Sequence, residues 1–272
     1  MWRTTVNQGI RNFSVNSPVI KCNRLQGKTA IVTASTDGIG FAIARRLAQE
    51  GAKVMISSRK DSNVKKAVEQ LQSEGLEVSG VVCHVAKQED RKNLFNKTKE
   101  KFGGLDILVS NAAVNPVFTT LFETPEAAWD KIFEINVKSG FLLMQESLPL
   151  LRESKSSSII LISSIAAYQQ VTALGVYAVS KTALLGLNNI AAAALVSEGI
   201  RVNCIAPGFI KTKFSQQLIE GDFHEATVST IPMRKIGEPD EIAGVAAFLA
   251  SDDAAYITGE TIVAAGGMQS RL

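Results

Sequence analysis

The alternation of short β-rich runs with amphipathic helical stretches constrains the fold more than any other feature of this chain. Seven Val- and Ile-rich runs predict strands, at residues 29–33, 53–57, 77–83, 106–110, 157–163, 200–205 and 261–264. Helical periodicity lies between them, for example over residues 64–73, 87–102, 125–151, 175–198 and 238–250. Because consecutive βαβ units build parallel sheets through right-handed crossovers, we predict a single-domain, doubly wound α/β fold with a seven-stranded parallel sheet and helices on both faces. Such folds bind ligands at the carboxyl ends of their strands.

The composition excludes several classes of function. The 272 residues are 46% hydrophobic and 20% charged, as in an ordinary globular chain. No apolar run approaches the roughly 18 residues of a membrane span, so we expect none. The three cysteines lack metal-site or disulfide spacing, and two histidines far apart in sequence supply little for a metal centre or a Ser-His-Asp triad. We therefore expect free thiols, no metal and no hydrolase.

The two ends of the chain carry features that suggest targeting. Five of the 29 basic residues lie in the first 28 positions, and none of the 26 acidic residues does. We interpret residues 1–26 as a basic extension, either a tail or a transit peptide, and residues 27–272 as the domain. The near-neutral body argues against nucleic acid as a partner. The chain ends in Ser270, Arg271 and Leu272, a variant of the Ser-Lys-Leu signal, so we expect the peroxisomal import receptor as a partner and the peroxisome as the location. The mitochondrion and the cytosol are the alternatives.

The first strand-to-helix junction is rich in small residues. Its backbone could approach a pyrophosphate closely, and the positive end of the following helix favours an anion. An ordinary tight turn is the alternative interpretation. The candidate cofactor-binding residues of this junction are Thr33, Ser35, Thr36, Asp37, Gly38, Ile39 and Gly40.

The end of the second strand carries positive charge. Ser58, Arg59 and Lys60 stand where an NAD site has a carboxylate for the ribose hydroxyls, and cations there suit a 2′-phosphate. We therefore predict NADP(H). Asp61 is a competing carboxylate, but we interpret it as the N-cap of a helix that begins near Val64.

Ser164, Tyr177 and Lys181 form the most informative constellation. Tyr177 and Lys181 are four residues apart in a helical stretch and share one face, and Ser164 directly follows a strand. A phenol with a pKa of about 10 needs a nearby cation to work as an acid or base at neutral pH, and we expect Lys181 to lower the pKa of Tyr177. A surface aromatic packed on a lysine stem is the alternative.

In this order and spacing, the motifs resemble the short-chain dehydrogenase/reductase family, whose domain has a Rossmann fold, over nearly all of residues 27–267. The resemblance implies Asn136 as a fourth catalytic residue, which holds a water linked to Lys181; an Asn that kinks the helix or satisfies backbone groups is the alternative. Further cofactor contacts that it implies are His84, Val85, Asn111, Ala112, Pro207, Gly208, Ile210 and Thr212. The chain departs from the family pattern at Ala34, Ala113 and His84, where the family has Gly, Gly and Asp.

By the same resemblance, NADPH delivers hydride to a carbonyl carbon, Tyr177 protonates the oxygen, Ser164 holds it, and Lys181 grips the nicotinamide ribose. Residues 209–236 have the composition of a mobile apolar lid, with a subunit interface as the alternative. With Ser164, Tyr168 and Phe214 as candidate substrate contacts, a small apolar carbonyl substrate such as a ketone, an α-dicarbonyl or retinal is favoured.

The predicted function is therefore an NADPH-dependent carbonyl reductase or alcohol dehydrogenase. A 3-oxoacyl thioester reductase is the first alternative, because a basic patch could hold a carrier or coenzyme A; its candidate residues are Lys211, Lys213, Arg234 and Lys235. A catalytically silent NADP(H)-binding scaffold is the second. Relatives use the matching long helices to build tetramers, so the resemblance implies a homotetramer.

Overall fold

A computed structural model of the chain describes residues 23–219, 221 and 223–270. Most of the predicted extension 1–26, together with Arg271 and Leu272 of the terminal tripeptide, lies outside the described residues. The predictions that rest on those residues therefore have no structural counterpart here.

Seven parallel strands form one sheet, which confirms the predicted fold class. The strands are β1 (Thr29–Val32), β2 (Lys53–Ser58), β3 (Val78–Val82), β4 (Ile107–Ser110), β5 (Ser157–Ile162), β6 (Ile200–Pro207) and β7 (Thr261–Ala264). Their ends differ from the predicted ones by at most two residues. The spatial order is β3-β2-β1-β4-β5-β6-β7, so the order reverses between β1 and β4. This reversal opens a crevice at the carboxyl edge, where doubly wound folds bind their ligands.

Helices cover both faces of the sheet. Successive strand residues point to opposite faces: Ala30 and Val32 pack in one core with α1, α2 and α9, and Ile31 packs in the other with α3, α5 and α6. The central strands are buried on both faces, which is why they read as nearly continuous apolar runs. The helices are α1 (Gly38–Gln49), α2 (Asp61–Ser73), α3 (Gln88–Phe102), α4 (Glu126–Phe133), α5 (Ser139–Leu151), α6 (Gly175–Leu195), α7 (Gln216–Ile219), α8 (Phe223–Thr230) and α9 (Pro239–Ala250).

The folded domain begins before residue 27. The Arg24 guanidinium forms two hydrogen bonds of 2.7 Å with the buried Glu50 carboxylate and also pairs with Asp253. Leu25 is fully buried, and its N–H donates to the Glu50 carbonyl. Two residues that the sequence placed in the extension therefore pack on the domain.

Residues 125–151, predicted as one helix, contain a π-helical segment at Glu134–Lys138 between α4 and α5. The prediction of a regular helix was wrong there. Inside the segment, the Asn136 side chain bonds to Val114 and Ser180, which lie outside the helix. The Ser139 hydroxyl donates to the Ile135 carbonyl at 2.6 Å within the same stretch. Such π-bulges often occur at functional sites.

Within the described residues, one helical stretch, Gly175–Glu198, is long and apolar enough to cross a membrane. It comprises α6 and the short turn after it, and the sequence prediction of no such run was wrong on this point. Its buried residues, among them Leu184 and Leu195, pack in the core on one face of the sheet. Since 33% of the apolar window is buried, packing in the core accounts for a part of the apolar composition of the helix.

Candidate active site

The predicted catalytic serine and tyrosine come together at the carboxyl edge of the sheet. Ser164 follows β5, and its hydroxyl caps a short 3₁₀ turn, Ile165–Ala167, by accepting from the Ala166 N–H at 3.1 Å. α6 begins at Gly175 and presents Tyr177 in its first turn, where it lines the same cavity as Ser164. Lys181, one turn later on the same face, is 1% exposed.

Two reciprocal hydrogen bonds join the end of β5 to α6. The Lys181 ammonium donates to the Ile162 carbonyl at 2.8 Å, and the Ser163 hydroxyl donates to the Lys181 carbonyl at 2.8 Å. Sequence reasoning missed Ser163, although its place beside Ser164 at a strand end was a usable signal. We refer to this pair of bonds as the β5–α6 clamp.

Burial, rather than Lys181, dominates the acidity of the catalytic groups. Burial raises the pKa of Tyr177 to about 12, and hydrogen bonding with Ser164 opposes the rise. Burial also lowers the pKa of Lys181 to about 8. The Lys181 ammonium lies 5.5 Å from the centroid of the Tyr177 ring and is committed to the Ile162 carbonyl. Burial and the Ser164 hydroxyl are the causes that act on the pKa of Tyr177, and a lowering of that pKa by Lys181 stays a prediction.

Asn136 is buried in the π-helical segment and ties two elements to the site. Its amide oxygen accepts from the Val114 N–H at 2.8 Å, and its amide nitrogen donates to the Val114 carbonyl at 3.1 Å and to the Ser180 hydroxyl at 3.0 Å. Ser180, which sequence reasoning missed, donates in turn to the Tyr177 carbonyl at 2.7 Å. The backbone-satisfying role that the sequence left as the alternative is thus present, and a bound water remains a prediction.

Thr33 and Ser35, two of the predicted cofactor contacts, support the first turn through hydrogen bonds. The Thr33 hydroxyl accepts from the Asn111 N–H at 3.0 Å and from the Ala112 N–H at 3.3 Å. The Ser35 hydroxyl donates to the Val32 carbonyl at 2.5 Å and accepts from the Ser57 N–H at 3.0 Å. Both side chains are fully buried, so the interpretation of them as direct cofactor contacts was wrong.

The upper surface of this turn is tightly constrained. Ala34 has a φ of 49° and Gly38 a φ of 55°, in the left-handed region. The Asn111 amide donates to the carbonyls of Thr33 and Ala34, at 3.0 Å each. A Cβ atom on Gly40 would lie 2.4 Å from that amide nitrogen, so only glycine fits.

The N-terminus of α1 is capped by Asp37. Its carboxylate accepts from the Gly38 N–H at 2.8 Å and pairs with the Lys213 ammonium at 2.6 Å. Hydrogen bonding by Lys213 is the main cause that lowers the pKa of Asp37. The pair joins the first turn to the predicted lid.

The carboxyl ends of β2 and β3 form a second, basic region. Arg59 and Lys60 follow β2 and form no ion pair with any residue that the structure describes. Asp61 is the first residue of α2 and pairs with Lys65 at 2.7 Å, while Lys60 is the N-cap. The interpretation of Asp61 as a cap was therefore wrong by one position, because the helix begins earlier than Val64.

A cavity of about 250 Å³ joins the first turn to the catalytic groups. The predicted site residues that line it are Asp37, Gly38, Ile39, Gly40, Asn111, Ser164, Tyr177, Lys181, Pro207, Gly208, Ile210, Thr212 and Phe214. The other predicted cofactor residues, Thr36, Ser58, Arg59, Lys60, His84, Val85 and Ala112, lie outside this cavity, as does Asn136.

The walls around Tyr177 are apolar. Val171 and Leu174 line the cavity, and the rings of Tyr177 and Phe214 lie 5.5 Å apart. Tyr168, a predicted substrate contact, follows the 3₁₀ turn and is not among the residues that line the cavity. Sequence reasoning missed Leu174, whose position just before α6 carried no signal of its own.

Two of the four residues of the basic patch that could favour a carrier-bound substrate are paired with carboxylates. Lys213 pairs with Asp37, and Lys235 pairs with Glu241. The Arg234 guanidinium donates to the Ser229 carbonyl at 2.9 Å. A bond to a neutral carbonyl leaves the charge of Arg234 in place, so Lys213 and Lys235 are the residues of the patch whose charge is offset.

The residues present fit a nicotinamide dinucleotide. The cavity reaches from the N-terminus of α1, which favours phosphate, to the Ser164 and Tyr177 hydroxyls. On the opposite side of the first turn, Arg59 and Lys60 offer positive charge to a further phosphate.

Comparisons with known proteins agree with this geometry. A family model described as enoyl-(acyl carrier protein) reductase matches residues 33–269. Dehydrogenase/reductase SDR family member 4 of Bos taurus is 53% identical over 251 residues, which cover 92% of this chain and 90% of that protein. Tropinone reductase-like 3 of Erythroxylum coca is 53% identical over 250 residues, which cover 92% and 96%. The crystal structure of a candidate gluconate dehydrogenase from Agrobacterium tumefaciens matches with a TM-score of 0.87 at 29% identity, covering 92% of this chain and 99% of that one.

Proposed function

Because the chain belongs to the short-chain dehydrogenase/reductase family, we propose that it is an NADPH-dependent carbonyl reductase for small apolar ketones, α-dicarbonyls or retinal. Membership makes it an oxidoreductase that acts on CH–OH or carbonyl groups with a nicotinamide cofactor. The observation that carries the finer proposal is the placement of Tyr177 and Ser164 together in an apolar cavity that reaches the dinucleotide turn.

The cofactor, when bound, supplies the hydride. Tyr177 then donates its phenolic proton to the carbonyl oxygen, and Ser164 holds that oxygen by a hydrogen bond. A tyrosine that is protonated at neutral pH suits the acid role in reduction, and burial keeps Tyr177 in that form. Lys181 and Asn136 fix the positions of β5, α6 and the loop at Val114, and in our proposal Lys181 also binds the nicotinamide ribose.

The preference for NADPH rests on charge at the end of β2. Arg59 and Lys60 are free of ion pairs with described residues, whereas the nearest carboxylate, Asp61, is occupied by Lys65. A 2′-phosphate gains from such cations, and a free 2′-hydroxyl loses its usual carboxylate partner. We expect Arg59→Ala to weaken NADPH binding while leaving NADH binding nearly unchanged.

The substrate proposal rests on the apolar wall formed by Val171, Leu174 and Phe214. Of the basic residues that support a 3-oxoacyl thioester reductase, Lys211 is exposed and forms no ion pair with a described residue, and this keeps that function as the second candidate.

The decisive experiment measures NADPH and NADH binding by fluorescence and then NADPH consumption with an aromatic α-dicarbonyl, all-trans-retinal and an acetoacetyl thioester. We expect tight NADPH binding and turnover of the first two. Tyr177→Phe should abolish turnover and leave NADPH binding intact, because it removes only the transferable proton. Turnover of the thioester alone would replace the proposal by the second candidate, and binding without any turnover would indicate a scaffold.

We also propose a homotetramer and a peroxisomal location. Ile190 on α6 and Phe141 on α5 are exposed apolar side chains, 72% and 46% accessible, that a second copy could cover. Light scattering of the native protein and of Ile190→Glu tests the assembly. The location rests on the tripeptide that ends in Leu272, and imaging of the full chain with and without that tripeptide tests it.

A further inference from the structure

A short segment that follows the last strand lies against the end of the predicted lid. It comprises residues 265–269, and we refer to it as the β7 tail. Gly266 and Gly267 in this tail have φ angles of 61° and 87°, in the left-handed region. A Cβ atom on Gly266 would lie 2.7 Å from a methyl carbon of Ile231, and one on Gly267 would lie 3.1 Å from the Pro232 ring. The tail therefore approaches the lid so closely that glycine is required at both positions.

A backbone hydrogen bond fixes the tail to the lid. The Met233 N–H donates to the Gly266 carbonyl at 2.9 Å. Arg234, the next residue, has a φ of 54°, and a residue with a side chain keeps such a conformation only where neighbouring contacts hold it. A second cavity of about 250 Å³ lies beside this bond, with Ile231 and Met233 on one side and residues 263–267 on the other. Because packing is incomplete there, the contacts with the tail matter for the position of the lid end.

The same tail packs on the turn that Ser164 caps. Met268 is 7% exposed and shares a small apolar cluster with Ile165, Ile231 and Ala265. Ile165 directly follows Ser164, begins the 3₁₀ turn and lines the cavity of the site. Met268 itself is not among the residues that line that cavity. Its side chain thus lies behind the site and joins the turn after β5 to the lid.

Gln169 adds a polar contact between the tail and the substrate side of the cavity. Its side-chain amide donates to the Gln269 carbonyl at 2.9 Å. Its own carbonyl accepts from the N–H of Val171, which belongs to the apolar wall, at 3.0 Å. The tail is therefore connected to the catalytic turn, to the apolar wall and to the lid end.

We propose that the β7 tail fixes Ser164 and the end of the lid relative to each other, with Met268 as the positioning residue. Met268 acts through Ile165, since it does not line the cavity where substrate would bind. The inference rests on the proposed carbonyl reduction, in which Ser164 holds the oxygen of the substrate. A misplacement of about 1 Å at a reacting group can lower the rate by about a hundredfold, so a shift of the turn is measurable as a loss of kcat.

Three methionine variants separate positioning from stability. Met268→Ala should lower kcat with an aromatic α-dicarbonyl about tenfold and leave the dissociation constant of NADPH within about twofold, because other elements build the first turn and the end of β2. Met268→Leu conserves the volume and should restore kcat to within about twofold of the native value. Met144→Ala is the matched control: Met144 on α5 is 4% exposed and packs in the core on the other face of the sheet. It should lower Tm, as Met268→Ala does, and leave kcat unchanged.

A second contact tests the same segment. Gln169→Met removes the hydrogen bond to the Gln269 carbonyl and keeps the length of the side chain. We expect a loss of kcat of about threefold, and a loss in the double variant with Met268→Ala that is smaller than the product of the two, because both changes release one segment. A product of the two losses would contradict a shared role.

Limited digestion with trypsin reports on the tail without turnover. Arg234 is exposed at the lid end, next to the residue that is bonded to Gly266, and cleavage there requires local opening. Met268→Ala should be cleaved after Arg234 at least about fivefold faster than native protein, and Met144→Ala at the native rate within about twofold. A native kcat in Met268→Ala, an equal loss of kcat in Met144→Ala, or native cleavage of Met268→Ala would refute the inference and leave the proposed function standing. Absence of carbonyl turnover in the native protein would remove the proposed function, and the cleavage rates would then decide whether the tail holds the lid.

Discussion

Replacing Gly40 by alanine should damage both the stability and the cofactor site. The added Cβ would lie 2.4 Å from the Asn111 amide nitrogen and 2.5 Å from the Ala34 carbonyl oxygen. Asn111 would have to move, and its hydrogen bonds to the Thr33 and Ala34 carbonyls would be lost. Overpacking costs about 1–3 kcal/mol and each lost bond about 1 kcal/mol, so we expect a total loss of about 3–5 kcal/mol.

For a domain of this size, a loss of that magnitude lowers Tm by about 6–20 °C. Gly244→Ala is the matched control: it lies inside α9, and its Cβ would come no closer than 3.8 Å to the Arg46 side chain. Alanine there should raise the stability by about 1 kcal/mol through helix propensity. Thermal unfolding by circular dichroism and NADPH titration check both variants. If Gly40→Ala melted within about 3 °C of the native protein and bound NADPH normally, the reasoning about this turn would be refuted.

Three further predictions follow from the site and its supports. Burial lowers the pKa of Lys181 from 10.5 to about 8, so the unfolded chain binds this proton more tightly than the folded protein does. The free energy of unfolding should therefore rise with pH between those values. Urea unfolding at about pH 7.5 and pH 9.5 should show this rise in the native protein and not in Lys181→Met. Asn136→Ala should lose about 2–3 kcal/mol, because the backbone of Val114 loses two partners and Ser180 loses one, whereas a loss below about 0.5 kcal/mol in denaturant titrations would contradict it. Ala34→Gly should be neutral or stabilising by up to about 1 kcal/mol, because relief of the left-handed strain exceeds the added chain entropy; a lower Tm would count against it.

The sequence was sufficient to predict the sheet and the positions of Tyr177 and Lys181. Strands buried on both faces read as apolar runs, and two residues four apart in a helix must share a face. These features depend on local spacing, which a sequence displays directly. The family resemblance added Asn136 as a catalytic residue and His84 as a predicted cofactor contact, neither of which has a local signal.

The sequence could not show which hydrogen-bond partners the polar side chains find within the fold. Thr33 and Ser35 look like cofactor contacts until the structure shows their hydroxyls bonded to neighbouring strands. The π-helical segment holds Asn136, whose hydrogen-bond partner Val114 is 22 residues away. The raised pKa of Tyr177 depends on burial, which is a property of the whole fold.

The β5–α6 clamp separates the residues that carry out the reaction from those that contact the rest of the substrate. Its two hydrogen bonds run from the Lys181 and Ser163 side chains to backbone carbonyls, and they hold the elements that carry Ser164 and Tyr177. The geometry of the clamp therefore does not depend on which side chains surround the substrate. The apolar wall, by contrast, takes Phe214 from outside the clamped elements. Substitution of Phe214 can therefore alter the range of accepted carbonyl compounds while the proton donor stays in place. This separation makes the pocket a favourable starting point for changing substrate preference by mutation without rebuilding the reaction chemistry.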